Sequence, residues 1–119
     1  MRSVSYSSEH IEIVNSGIEA ISAVLNGNDI IQKEGLLLCL DRFLDPYFGY
    51  DLPFKDEIKI LLQNVIVSEN PIEVKEDALQ LLSDYEWPPF TILENNLSKI
   101  EKELLPNVEY VINMNDCTE

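Results

Sequence analysis

Apolar residues recur along most of this chain at intervals of three and four positions, the spacing that places side chains on one face of an α-helix. The clearest case is the stretch from residue 70 to residue 89, NPIEVKEDALQLLSDYEWPP. Asn70 is a good N-cap, Pro71 suits a first turn that needs no amide donor, and Glu73 adds a carboxylate at the positive end of the helix dipole. Apolar residues fill about half of the helical wheel and acidic residues the opposite arc. The pattern therefore predicts a helix with one side in the core and the other side negatively charged.

The same periodicity predicts further helices on both sides of this stretch. We expect a first helix that is capped by Ser7 or Ser8 and ends at residues 26–28, a second from Asp29 to about Leu44, and a third from Phe54 to about Val67. The stretch described above is the fourth, and it is followed by a fifth helix from about Phe90 to Ile100 and a short sixth that begins at Pro106. The apolar run 36–40 is also compatible with a short buried strand, but its length and lack of β-branched residues favour helix. No segment alternates convincingly between apolar and polar residues. The chain is therefore predicted to be all-α, with five or six short amphipathic helices in antiparallel pairs.

Two of the predicted helix pairs match each other when the sequence is shifted along itself. A shift of 38 positions superposes Leu36 and Leu40 on Val74 and Ala78, and a shift of 35 superposes the helices that follow. A helix, a proline-ended loop and a second helix at this period resemble the HEAT or armadillo class of helical repeats. A compact, non-repeating helical bundle remains the alternative architecture.

Length and charge limit the possible partners. With 119 residues the chain fits one domain, for which we expect a loose leader at 1–7, a helical domain at 8–114 and a frayed tail at 115–119. Asp and Glu total 22 against 8 Lys and Arg, a formal net charge of −14. This charge serves solubility, or it selects a cationic partner, and it disfavours direct binding of nucleic acid or of an anionic membrane.

Because we find neither a long apolar run nor a signal-peptide pattern, we expect a cytoplasmic protein.

Residues capable of catalysis or metal binding are scattered rather than clustered. His10 is the only histidine, and its polar neighbours predict a surface position. Cys39 lies in an apolar run typical of a core, whereas Cys117 lies in the polar tail. Adjacent carboxylates, such as Glu76 and Asp77, diverge by about 100° on a helix and do not act as a pair. We therefore expect no enzyme activity, no metal and no cofactor.

Two breaks between helices combine aromatic and acidic residues, at positions 45–53 and 86–89. The acidic and aromatic corner at the second break comprises residues 84–87. Corresponding loops of a helical repeat lie on the same edge, so we expect the two corners to be neighbours that form one patch. Tyr and Trp surrounded by carboxylates suit an interface with a basic protein, although Tyr85 and Trp87 are alternatively core residues between helices. The residues expected to contact the partner are Asp45, Tyr47, Tyr50, Asp51, Glu73, Glu76, Asp77, Asp84, Glu86 and Trp87.

The helical pair from Pro71 to Ile100 and the two acidic, aromatic corners resemble immunity proteins of bacterial contact-dependent inhibition and polymorphic toxin systems. The resemblance implies a non-enzymatic inhibitor, a monomer until it forms a tight complex with a basic toxin domain that has nuclease activity. It carries over no functional residue, because such proteins recognise their toxins through individual surfaces. Two alternatives come from other classes: an adaptor or structural helical-repeat protein, and a nucleic-acid mimic that blocks a DNA-binding protein.

Overall fold

All regular elements in the described part of the chain are helical. The computed structural model describes residues 6–49 and 52–113. Within these ranges the α-helices are α1 (Ser8–Asn15), α2 (Ile18–Leu25), α3 (Ile30–Leu44), α4 (Lys55–Val67), α5 (Ile72–Tyr85), α6 (Thr91–Asn95) and α7 (Leu105–Ile112), with 3₁₀ helices at Pro46–Phe48 and Leu97–Lys99. The all-α prediction is confirmed. No helix in these ranges has the length and apolar character needed to cross a bilayer.

The described residues group into two compact units that divide within α4, between Ile58 and Lys59. In the first unit α1, α2 and α3 pack against one another. In the second unit α7 packs against both α5 and α6. The predicted single domain and its tail stay predictions, and residues 1–5 and 114–119 lie outside the described residues.

The first predicted helix is two helices in the structure. Gly17 separates α1 from α2 with φ at 110°, a conformation that side chains with a Cβ disfavour. The hydroxyl of Ser16 donates to the carbonyl of Glu12 at 2.7 Å and helps to end α1. Val14 and Ile21 are nevertheless both fully buried, so the apolar pattern continues across the break. The interruption at Gly17 therefore could not be detected from the apolar periodicity alone.

The predicted N-caps of α1 and α3 are both present in the structure, whereas the predicted surface position of His10 is not. Asp29 caps α3 as predicted, since its carboxylate accepts the N–H of Gln32 at 3.2 Å. Ser7 is the N-cap of α1, and its backbone N–H donates to Nδ1 of His10 at 3.0 Å. The imidazole is buried rather than on the surface, and its Nε2 has no hydrogen-bond partner. The surface prediction for His10 was wrong because the ring folds back to cap its own helix.

Cys39 is a core residue, as its apolar neighbours predicted. Its side chain is fully buried in α3. Burial raises the pKa of the thiol to about 11, with the positive charge of Arg42 acting in the opposite direction. Thiolate is the reactive form of cysteine, so Cys39 is poorly suited to nucleophilic chemistry.

The long fifth helix of the sequence prediction is interrupted in the second unit. Only Thr91–Asn95 is α-helical, and a 3₁₀ turn at Leu97–Lys99 follows. Asn96 separates them with φ −131° and ψ 27°, and its side-chain amide donates to the carbonyl of Ile92 at 2.8 Å. Asn side chains compete in this way with backbone N–H groups for helical carbonyl groups. The apolar residues keep their helical spacing from 90 to 100, so periodicity did not reveal the break.

The helix at the centre of the sequence pattern begins at Ile72, with Pro71 rather than Asn70 in the N-cap position. The carbonyl of Pro71 accepts the N–H groups of Val74 and Lys75 at 3.0 and 3.2 Å. The side-chain amide of Asn70 donates backwards to the carbonyl of Val65 at 2.9 Å, at the end of the preceding helix. The helix itself is confirmed, and its start differs from the prediction by one position.

The apolar periodicity of residues 54–67 predicts that Gln63 faces outward, together with the charged residues of this helix. In the structure Gln63 lies on α4 and is buried. Its Oε1 accepts the backbone N–H groups of Ile92 and Leu93 at 3.1 and 3.3 Å, and its Nε2 donates to the carbonyl of Lys59 at 3.2 Å. Both polar atoms of the side chain are therefore satisfied, which removes most of the cost of burying them. The prediction of an outward Gln63 was wrong because the N–H groups that its Oε1 accepts belong to a different helix, α6.

Replacing Gln63 by Met keeps the side-chain length and removes its polar atoms. We expect the free energy of unfolding to fall by about 2 kcal/mol, because the first N–H groups of α6 lose a buried acceptor. Urea denaturation followed by circular dichroism measures the change. Gln80→Met is the matched control, since Gln80 is exposed on α5, and its effect should stay within about 0.5 kcal/mol. Equal losses in the two variants would contradict this role of Gln63.

Candidate partner-binding surface

The acidic residues predicted on α5 face solvent in the structure. Glu73, Glu76 and Asp84 are exposed, and Asp77 is half-buried. The amide of Gln80 donates to a carboxylate oxygen of Asp84 at 2.9 Å, as expected for residues four positions apart on one helix face. The predicted negative face of this helix is therefore present as one continuous stripe.

The single basic residue of α5 does not reach this stripe. Lys75 is only 3% exposed, and its ammonium group donates to the two carboxylate oxygens of Glu101 at 2.8 and 3.0 Å. Glu101 lies in the segment between the 3₁₀ turn Leu97–Lys99 and α7, so the pair links α5 to that segment. Because Lys75 is turned inward and neutralised there, the outward side of α5 carries acidic charge only.

A groove of about 400 Å³ lies between α5 and α7, beside the acidic stripe. Its walls carry the carboxylates of Glu76 and Asp77, and the ring of Tyr110 from α7 is 63% exposed. The remaining lining residues are Leu79, Gln80, Ser83, Asn107 and Val111. None of these described residues is basic. A lysine or arginine side chain fits this chemistry, since its aliphatic part packs on an aromatic ring while its charge pairs with carboxylates.

Tyr110 was not among the residues selected from the sequence. In α7 the buried residues are Val108 and Val111, and Tyr110 lies on the opposite side of the helix. A helical wheel of α7 shows this outward position, but not that α5 packs beside α7 and supplies two carboxylates. The aromatic residue of the groove therefore could be identified only once the two helices were seen together.

The corner at residues 84–87 combines exposed and half-buried groups. Trp87 is 61% exposed, which excludes the alternative of a core tryptophan, while Tyr85 and Glu86 are half-buried. The ammonium group of Lys59 donates to the backbone carbonyl of Trp87 at 2.7 Å. The tryptophan ring is thus presented to solvent on a main chain that α4 holds in place.

The other predicted corner belongs to the first unit. Tyr47 is 87% exposed, and its backbone N–H donates to the carboxylate of Asp45 at 2.9 Å. The rings of Tyr47 and Phe48 meet edge to face with centroids 5.3 Å apart, and the guanidinium of Arg42 lies 5.1 Å from the centroid of Phe48. This corner therefore includes a cation that sequence reasoning did not place there. Tyr50 and Asp51 lie outside the described residues, and the proximity of the two corners stays a prediction.

No group of three or more His, Cys, Asp or Glu side chains in the described ranges is arranged to hold a metal ion. Comparison of the chain with protein-family models, with curated proteins and with solved structures gives no match. The residues that the structure brings together are Glu76, Asp77 and Tyr110 in the groove, with Glu73 and Asp84 on the same outward side of α5.

Proposed function

We propose that this chain is a non-enzymatic acidic binding protein that neutralises a basic protein partner. The observation that carries the proposal is the groove between α5 and α7, which combines two carboxylates with an exposed aromatic ring and has no basic residue among its described walls. Interfaces use aromatic side chains as anchors and use charge to accelerate encounter and to select partners. The groove supplies both kinds of group for a partner that presents Lys or Arg.

The partner class that suits this chemistry best is a toxin nuclease, and the chain then acts as its immunity protein in the cytoplasm. Nucleases that bind phosphate backbones need surfaces rich in Lys and Arg, so an acidic protein is attracted to the surface that the substrate occupies. The whole-chain charge of −14 adds to this attraction at long range. Exposed ion pairs contribute only about 0.2–1 kcal/mol each, so tight binding also requires the aromatic groups.

The test uses the protein encoded by the gene beside this one in the source genome, which this proposal predicts to contain a toxin nuclease domain. We expect the two proteins to co-purify as a complex with a dissociation constant of about 1 nM or lower, and the chain to protect nucleic acid from cleavage at equimolar ratio. Bovine serum albumin, which is also acidic, serves as the control for nonspecific charge effects. Absence of a complex, or undiminished cleavage in the presence of excess chain, would show that the proposal is wrong.

A further inference from the structure

A second groove, of about 640 Å³, lies on the other side of α7 from the first. Four apolar residues contribute to its walls: Pro88, Pro89, Leu97 and Ile112. Two carboxylates, from Glu94 and Glu109, and the side chain of Asn113 complete the lining. Both carboxylate residues are exposed, and none of the described lining residues is basic. The groove is therefore apolar along part of its length and acidic at its rim.

The proline wall of this second groove is anchored at both ends by one lysine. The ammonium group of Lys59 donates a hydrogen bond to the carbonyl of Trp87 at 2.7 Å, and it also lies 4.9 Å from the centroid of the Phe90 ring. Phe90 is fully buried. The two prolines lie between these two anchored residues and have little conformational freedom of their own. Because Pro88 and Pro89 are already held in place before a ligand binds, the entropic cost of binding is lower.

We propose that the groove between α6 and α7 is a docking site for a segment of the basic partner in which an arginine adjoins an apolar residue. The inference rests on the proposed function and assigns a specific part of the surface to it. The apolar residue packs against the prolines, Leu97 and Ile112, while the guanidinium pairs with Glu94 and Glu109. Arginine suits the site better than lysine, because its planar group pairs with two carboxylates at once and sheds water more readily.

α7 forms the ridge between the two grooves, so one partner surface can contact both. Glu109 lines the second groove and Tyr110 lines the first, as expected for adjacent helical residues that point about 100° apart. A single basic surface laid across α7 therefore places cationic side chains in both grooves. This arrangement places α7 at the centre of the proposed interface.

The direct test is an NMR titration of the isotope-labelled full chain with the blocked tetrapeptide Gly-Leu-Arg-Gly. Gly-Leu-Gln-Gly serves as the uncharged control peptide. We expect saturable shift changes in residues 88–97 and 109–113 with the arginine peptide, at a dissociation constant of about 1 mM, which is typical for so small a ligand. Absence of saturable changes, or equal changes with both peptides, would overturn the docking site.

Matched variants separate the second groove from net charge. E94Q/E109Q removes the two groove carboxylates, whereas E69Q/E103Q removes two exposed carboxylates that line neither groove. Both change the formal charge from −14 to −12. We expect about tenfold weaker peptide binding for E94Q/E109Q and less than about twofold for E69Q/E103Q. Equal losses would overturn the assignment.

The same variants distinguish failure of this inference from failure of the proposed function. A complex with the neighbouring toxin domain whose affinity E94Q/E109Q leaves unchanged would overturn the docking site and leave the inhibitor function standing. Peptide binding as expected, without any toxin complex, would overturn the inhibitor function instead. Melting temperatures of the variants establish that each protein remains folded during these measurements.

Discussion

Replacing Glu101 by Gln is expected to lower the free energy of unfolding at neutral pH by about 3 kcal/mol, the largest effect of a single substitution that we anticipate. The reason is Lys75, whose ammonium group is almost fully buried and donates to both carboxylate oxygens of Glu101. Gln supplies hydrogen-bond acceptance but no negative charge, so a buried positive charge is left uncompensated. Urea denaturation followed by circular dichroism measures the loss.

The effect of the Glu101 substitution should depend on pH with a definite sign. The hydrogen bond from Lys75, together with a backbone hydrogen bond, holds the pKa of Glu101 below its ordinary value of 4.5. The unfolded state then binds a proton more readily than the folded state, so the carboxylate stabilises the protein above pH 4.5. That contribution is lost as the pH falls through the lowered pKa of the folded protein. The difference between wild type and Glu101→Gln should therefore shrink below pH 4.5.

A double variant isolates the buried charge from the loss of one acceptor. In K75M/E101Q both charges are removed and Met fills most of the space of the lysine stem, so we expect most of the stability to return. Recovery follows because the large cost lies in the unpaired ammonium rather than in the absence of the ion pair. If K75M/E101Q proves as unstable as Glu101→Gln, the buried charge is not the cause.

Reversing two charges on α5 should have the largest effect on partner binding. We expect E76K/D84K to reduce the association rate constant with the toxin domain by about 10- to 100-fold and to weaken its dependence on salt. Both residues are exposed, and Glu76 lines the groove beside Tyr110. Stopped-flow association at several salt concentrations is the measurement.

The matched control for charge reversal is E12K/E69K, which changes two exposed carboxylates elsewhere and gives the same formal charge of −10. We expect a much smaller reduction of the association rate, because only the long-range part of the attraction changes. Equal slowing by the two variants would mean that net charge alone acts and that the α5 face is not the binding surface.

Tyr110→Ala should raise the rate of dissociation from the partner by about 30-fold, because Tyr110 acts as an aromatic anchor of the proposed interface.

Much of the local structure could be predicted because it depends on residues close together in the chain. The α5 helix, the capping of α3 by Asp29 and the buried position of Cys39 all follow from local spacing and were confirmed. The missed breaks at Gly17 and Asn96 are local too, but they preserve the apolar period, so periodicity could not detect them. Part of the candidate site was predictable as well, since the exposed carboxylates of α5 follow from the helical wheel.

The sequence by itself determined that this protein is all-α, strongly acidic, and negatively charged along the outer side of α5. Only the tertiary structure decided which polar residues are buried and which surface has the shape of a binding site. Lys75 and Gln63 are buried because they find partners 26 and 29 residues away, and no local pattern encodes such a partner. Likewise, Tyr110 meets the carboxylates of Glu76 and Asp77 only because α7 packs beside α5. Burial of a polar group and the formation of a groove both depend on which helices become neighbours, and that choice is made by packing.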